Sequence, residues 1–158
     1  MAPGSDDAIA TSEEALHDRG LLALWYIRLR LEQELDRSRR AGHPLAVILL
    51  SPNPPLGGRA PEEALTAAAV AVSASARRAD LVGWLDADTI VVVLPDSDDS
   101  GARQAAQRWK NQIWLKTMHM GSVKWEAFVL VNAAVHASTD EVLKVALAGQ
   151  GRLLRPPR

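Results

Sequence analysis

The sequence predicts an α+β fold: a ferredoxin-like α/β sandwich, with a central mixed and mostly antiparallel sheet flanked by helices. Three observations carry this. Ile90-Val91-Val92-Val93-Leu94 is a continuous, largely β-branched run, as expected of a strand buried on both faces. Leu81 to Leu85 is a second apolar run just before it, with Asp86-Ala87 as the tightest polar interruption, so the two read as a hairpin. Around that hairpin the segments run in the order helix, strand, helix, strand-turn-strand, helix, strand, helix.

With 158 residues, 47% of them hydrophobic and 23% charged, the chain has the length and balance of one globular domain. The domain is expected over residues 12–151, between a disordered lead (1–11) and a basic tail (152–158). A formal net charge of -1 gives no basic field for nucleic acid. The absence of cysteine excludes disulfides, thiolate nucleophiles and cysteine metal sites together. His17, His43, His119 and His136 are scattered without ligand spacing, which argues against zinc. Met1 to Glu14 is acidic and polar, unlike a secretory leader, and no apolar run reaches the length of a membrane span. The expectation is a cytoplasmic protein without membrane insertion.

The first helical pattern starts at Thr11 or Ser12, ahead of Glu13-Glu14, and runs to about Arg40. Leu21, Leu24, Ile27, Leu31 and Leu35 form its apolar stripe, and Gly20 is placed to divide it into a short and a long helix. Leu45 to Leu50 is a wholly apolar central strand. Ser51 to Gly58, with three prolines and two glycines, predicts an irregular loop. Pro61 and Glu62-Glu63 open an alanine-rich helix to about Arg78. After the hairpin, Asp96 to Ser100 is a turn and cap, and Gly101 to about Met118 a third helix with Ala105, Trp109, Ile113 and Leu115 inward. Val123 to Val135 predicts a strand or a bent pair. Ser138 to Glu141 caps a last helix through Leu147, stopped by Gly149 and Gly151. Of the five tryptophans, Trp25, Trp109, Trp114 and Trp125 are assigned to the core. Trp84, beside the hairpin, is the one expected to mark a partner surface if exposed.

From about Leu21 to Gly151 the order of elements and the local residues resemble a GGDEF domain, the catalytic fold of diguanylate cyclases. In that family an Arg-x-x-Asp precedes Leu-Val-x-x-Leu, the GGDEF signature, and an apolar strand ending in Leu-Pro. Here Arg77-Arg78-Ala79-Asp80-Leu81-Val82-Gly83-Trp84-Leu85 leads without a gap into Asp86-Ala87-Asp88-Thr89-Ile90 and then Val91-Val92-Val93-Leu94-Pro95. Asp140 to Ala148 is similar to the family's last helix.

What the resemblance implies depends on the departures. The family's two glycines let the backbone approach a nucleotide; here Asp86 stands there, and its charge opposes a triphosphate. Of the acidic pair only Asp88 matches, the second position being Thr89. The family's first strand ends in a magnesium-binding aspartate; here it ends in Ser51. Two-metal phosphoryl transfer needs several carboxylates to hold the ions, so the resemblance implies a catalytically inactive domain that is not an enzyme, with no catalytic or metal residues and no cofactor.

The Arg-x-x-Asp, by contrast, is present. In active members it forms the inhibitory site for the product, cyclic di-GMP. An arginine fork suits guanine or phosphate, and an aspartate accepts from the guanine N1–H and amino group. The ligand set implied is Arg77, Asp80, Arg78 and a second arginine from the helix after the hairpin, Arg108, with Arg103 as the fallback. The bland alternatives are a helix-end ion pair for Arg77 and Asp80, worth about 0.3–0.5 kcal/mol, a solvated helix face for Arg108, and ordinary turn residues for Asp86 and Asp88. Two functions follow: a cyclic di-GMP receptor signalling to a separate output protein, possible also as a homodimer, or a ligand-free interaction scaffold that has kept only the fold.

Overall fold

The computed structural model describes residues 17–53, 62–120 and 124–149. The expected lead (1–11), the basic tail (152–158), and the features expected at Thr11, Ser12, residues 54–61, Val123 and Gly151 lie outside them. Within them the strands are β1 (His17–Asp18), β2 (Leu21–Leu22), β3 (Leu45–Asn53), β4 (Leu81–Trp84), β5 (Ile90–Pro95) and β6 (Lys124–Leu130). The helices are α1 (Leu24–Ala41), α2 (Glu62–Ser75), α3 (Asp99–Thr117) and α4 (Thr139–Gly149), with a 3-10 turn at Ala133–Val135.

The six strands form one sheet in the order β1-β2-β4-β5-β3-β6. All neighbours are antiparallel except β2 and β4, which run parallel through Leu22 and Gly83. The portion β3-α2-β4-β5-α3-β6 has the ferredoxin-like order, so the predicted mixed, mostly antiparallel sheet flanked by helices is what the chain forms. β5 is fully buried along its length. Its alternation divides the core: Ile90, Val92 and Leu94 face α2 and α3, while Val91 and Val93 face α1 and α4. β3 repeats the pattern, with Ala46, Ile48 and Leu50 on one face and Leu45, Val47 and Leu49 on the other. Burying each such side chain contributes about 1.5–3 kcal/mol.

Several elements differ from expectation, each for a tertiary reason. Residues 17–22 are a small hairpin rather than helix, and α1 starts at Leu24. Its turn places Arg19 (φ 48°) and Gly20 (φ 84°) in the left-handed region, as a two-residue hairpin loop requires. Gly20 therefore breaks the pattern as expected, but by turning a strand. Ser51, Pro52 and Asn53 extend β3 instead of opening a loop, pairing with Glu126, Trp125 and Lys124. Beyond Leu50 the strand has no register partner on the β5 side, so Pro52 sits where one edge needs no donor. α2 ends at Ser75 rather than Arg78, and α3 begins at Asp99 with Asp98 as cap, its carboxylate accepting from Gly101 N at 2.8 Å. β6 stops at Leu130; Asn132 (φ 52°) turns the chain into the 3-10 segment.

The tryptophans sort differently too. Trp84, Trp109 and Trp125 are buried, but Trp25 and Trp114 are more than half exposed, as is Leu115. Trp84 is 2% exposed, so it marks no partner surface. Trp109 is fully buried and its indole N–H donates to Ser75 Oγ at 2.9 Å, which in turn donates to Gln112 Oε1 at 2.7 Å, tying α2 to α3. Replacing Trp109 by alanine removes both the packing and this tie and is expected to cost roughly 3–5 kcal/mol, read as a lower urea midpoint.

Candidate functional site

Arg77 and Asp80 lie in the short connection between α2 and β4. A tight turn forms there, with Asp80 N bonded to Arg77 O at 3.0 Å. That turn aims the Asp80 carboxylate back at Arg77. One oxygen accepts from the Arg77 backbone N at 2.8 Å; the other accepts from Nη2 at 2.8 Å and Nε at 3.1 Å. The Asp80 side chain is 1% exposed while that of Arg77 is 51% exposed, so a buried anion is covered by a cation facing solvent.

The same guanidinium reaches across the sheet end. Nη2 also donates to Pro95 O and to Ser97 Oγ, both at 2.9 Å. Ser97 Oγ bonds Pro95 O at 3.2 Å, and Ser97 N bonds Pro44 O at 3.2 Å. Arg77 thus ties the start of β4 to the end of β5 and the entry to β3. Between them Asp96, at φ 55°, turns its carboxylate toward α1, where Arg37 donates to it at 3.2 Å and His43 Nδ1 lies 3.5 Å away. The hydrogen bond to Glu34, and then that to Asp96, hold the Arg37 guanidinium above its already high ordinary pKa.

These residues open onto a cavity of about 280 Å³ whose walls include Arg77, Asp80, Asp96, Ser97, Asp98 and Arg108. Arg108 comes from α3, exposed, with its guanidinium 5.5 Å from the ring centre of Trp109. Three of the four residues singled out in the sequence therefore share one cavity. Arg78 does not line that cavity: it lines an adjoining groove with His17, Gly20 and Leu22, to which Arg77 and Asp80 also contribute. Arg103, the fallback, pairs with Asp99 on the exposed face of α3 at 2.6 Å.

The hairpin turn is closed by its own side chains. Asp86 Oδ1 accepts from Asp88 N at 3.1 Å and Thr89 N at 2.9 Å, and Leu85 N bonds Thr89 O at 2.8 Å. The turn is thus wider than the two residues expected. Asp88 is 3% exposed and bonded by Thr89 Oγ1 at 3.4 Å. Arg19 caps the turn from outside, its Nη1 donating to Ala87 O at 2.8 Å and Nη2 to Asp86 O at 3.1 Å. Among the described residues no group of three His, Cys, Asp or Glu is placed to hold a metal ion. Sequence reasoning missed Ser97 and Arg19, because both act through contacts distant in the chain.

The chain matches the family described as "Diguanylate cyclase, GGDEF domain" over residues 20–146. The chain belongs to the GGDEF domain family. A search of curated protein sequences found no significant match. Among solved structures it is similar to the diguanylate cyclase SiaD of Pseudomonas aeruginosa, in complex with its activator SiaC. Identity is 20% and the TM-score 0.73, over 94% of this chain but only 60% of the SiaD chain. It is similar to a sensory box/GGDEF family protein of Caulobacter crescentus, with 18% identity and a TM-score of 0.71 over 87% of this chain and 97% of that one. The coiled coil and GGDEF domain of DgcB from Caulobacter crescentus, in complex with c-di-GMP, gives 11% identity and a TM-score of 0.74 over 90% and 82% of the two chains. At these identities the likeness is one of fold. Among the described residues no helix is long and apolar enough to cross a membrane.

Removing Arg77 strips the buried Asp80 carboxylate of its cation. Arg77→Ala is expected to lower stability by roughly 1–3 kcal/mol. Arg103→Ala, which breaks an exposed helix pair, should change it by less than about 0.5 kcal/mol. Chemical denaturation of both variants checks the contrast.

Proposed function

We propose that this GGDEF domain is a catalytically inactive receptor for cyclic di-GMP, with Arg77, Asp80 and Arg108 as the binding residues. The observation that carries this reading is the convergence of those three side chains on one cavity from two separate elements. Arg77 is fixed by Asp80, Pro95 and Ser97 through Nε and Nη2, which leaves its Nη1 with no bond to the described protein and available to a ligand. A preset donor loses less freedom on binding. Arg108 has no ion pair within the described residues, so its charge is available to a phosphate or for stacking on a base. Arg78 lines the adjoining groove that Arg77 and Asp80 also wall, and adds positive charge beside them. In this reading residues 12–151 act as one domain, and the output passes to a separate protein.

The inactive part of the reading rests on the hairpin. Asp86 takes up the amides of Asp88 and Thr89, and Asp88 is the only match to the family's acidic pair. Incubation with GTP and magnesium is expected to yield no cyclic di-GMP by chromatography; product formation would overturn that part.

Titration calorimetry tests the receptor part. Binding of cyclic di-GMP is expected in the micromolar range or tighter, with Arg77→Ala and Asp80→Ala abolishing the heat. Arg108→Ala, losing one charge-assisted contact, should weaken it by roughly tenfold or more. No heat with the native chain would sink the proposal.

One observation favours the second reading, an interaction scaffold. Trp114 and Leu115 on the last turn of α3 and Met118 at its C-cap, each more than half exposed, adjoin. That reading predicts a partner whose binding is lost in a Leu115→Glu variant and unaffected by cyclic di-GMP.

A further inference from the structure

We infer that the hairpin of β1 and β2 is a detachable strap that holds the Asp86–Thr89 turn closed, with Arg19 as its plug. The inference goes beyond the receptor reading and does not depend on nucleotide binding.

Arg19 sits at the tip of the strap and does three things at once. Its guanidinium bonds the two exposed carbonyls of the turn, Asp86 O and Ala87 O. It lies over the indole of Trp84, 4.2 Å from the ring centre. Its own carbonyl accepts from Trp84 Nε1 at 3.4 Å. The flat face of Trp84 and the outward acceptors of the turn are therefore covered by a residue from the far end of the domain's sequence. Arg19 holds the left-handed backbone of the two-residue hairpin loop, which sets the direction its side chain leaves the strap.

The strap's backbone pairing is light, although Leu21 reaches into one core layer and Leu22 packs against the other. β1 and β2 have two residues each, and β2 meets β4 through one register pair, Leu22 with Gly83. Its seat demands the glycine: a Cβ at residue 83 would lie 2.7 Å from Leu22 O and 2.4 Å from Ile27 Cγ1. By contrast β3 and β5 share six register pairs in the core. Short edge elements with few bonds open at far lower cost than such a core. Displacing the strap would expose Trp84 and free both turn carbonyls while leaving the central sheet intact.

Hydrogen-exchange mass spectrometry on the full chain without nucleotide tests this. Arg19→Ala is expected to raise exchange in peptides covering residues 85–89 by about tenfold or more, while α3 is unchanged. Gly20→Ala, which strains the left-handed turn of the strap at φ 84° yet meets no neighbouring atom, should reproduce the effect and also expose residues 17–22. Unchanged protection of residues 85–89 in Arg19→Ala overturns the inference. So does an equal loss of protection across α3 and β3, which would make Arg19 a general stability residue.

Discussion

The structure depends on β5 being buried on both faces and paired on both edges. Ile90 to Leu94 lies between β4 and β3, and its side chains feed both halves of the core. A strand in that position cannot shift register by one residue, because every side chain would then exchange one helical layer for the other. Its two ends are consequently held in place by pairing with β3 and β4 on either side. The turn before it carries the family's signature position, and the carbonyl after it anchors Arg77.

That rigidity explains how two loops distant in sequence share one cavity. Arg77 leaves α2, while Ser97 and Asp98 lead into α3; both connections are held to the same strand end through Pro95 O. Arg108 then follows from the helical geometry of α3, whose start is set by the Asp98 cap. The Arg77–Asp80 pair alone would be a weak surface ion pair. Here the carboxylate is buried and accepts from both backbone and side chain, so the pair is part of the fold as well as of the candidate site. A structural and a binding role are compatible, since a guanidinium fixed on one edge still presents its other.

The sequence was most legible where one physical signal dominated. The β-branched run of β5, the apolar run of β3 and the Ile27, Leu31, Leu35 stripe of α1 each required burial, and each is buried. It was least legible at the edges. Residues 17–22 continue a helix-compatible pattern of leucines, yet they are strand because β4 offers an open edge to pair with. Trp84 and Trp114 are the same residue type with opposite fates: the first is covered by Arg19, the second lies on the outer side of α3. Neither cover nor outer side is written in local spacing.

What the sequence by itself determined was the alternation of buried and exposed positions, hence the central elements and the mixed sheet, and the ungapped Arg77–Pro95 run that carries the family resemblance. These follow from periodicity and from a run of residues without gaps, both local quantities. What only the tertiary structure decided was which charges meet. Arg77 with Pro95 and Ser97, Arg108 beside them, Arg78 on the adjoining groove, and Arg19 across the turn are placements among residues as far as 68 positions apart in sequence. Such contacts depend on where the strands bring their ends, and the directions of long, flexible arginine side chains are set only once those ends are in place.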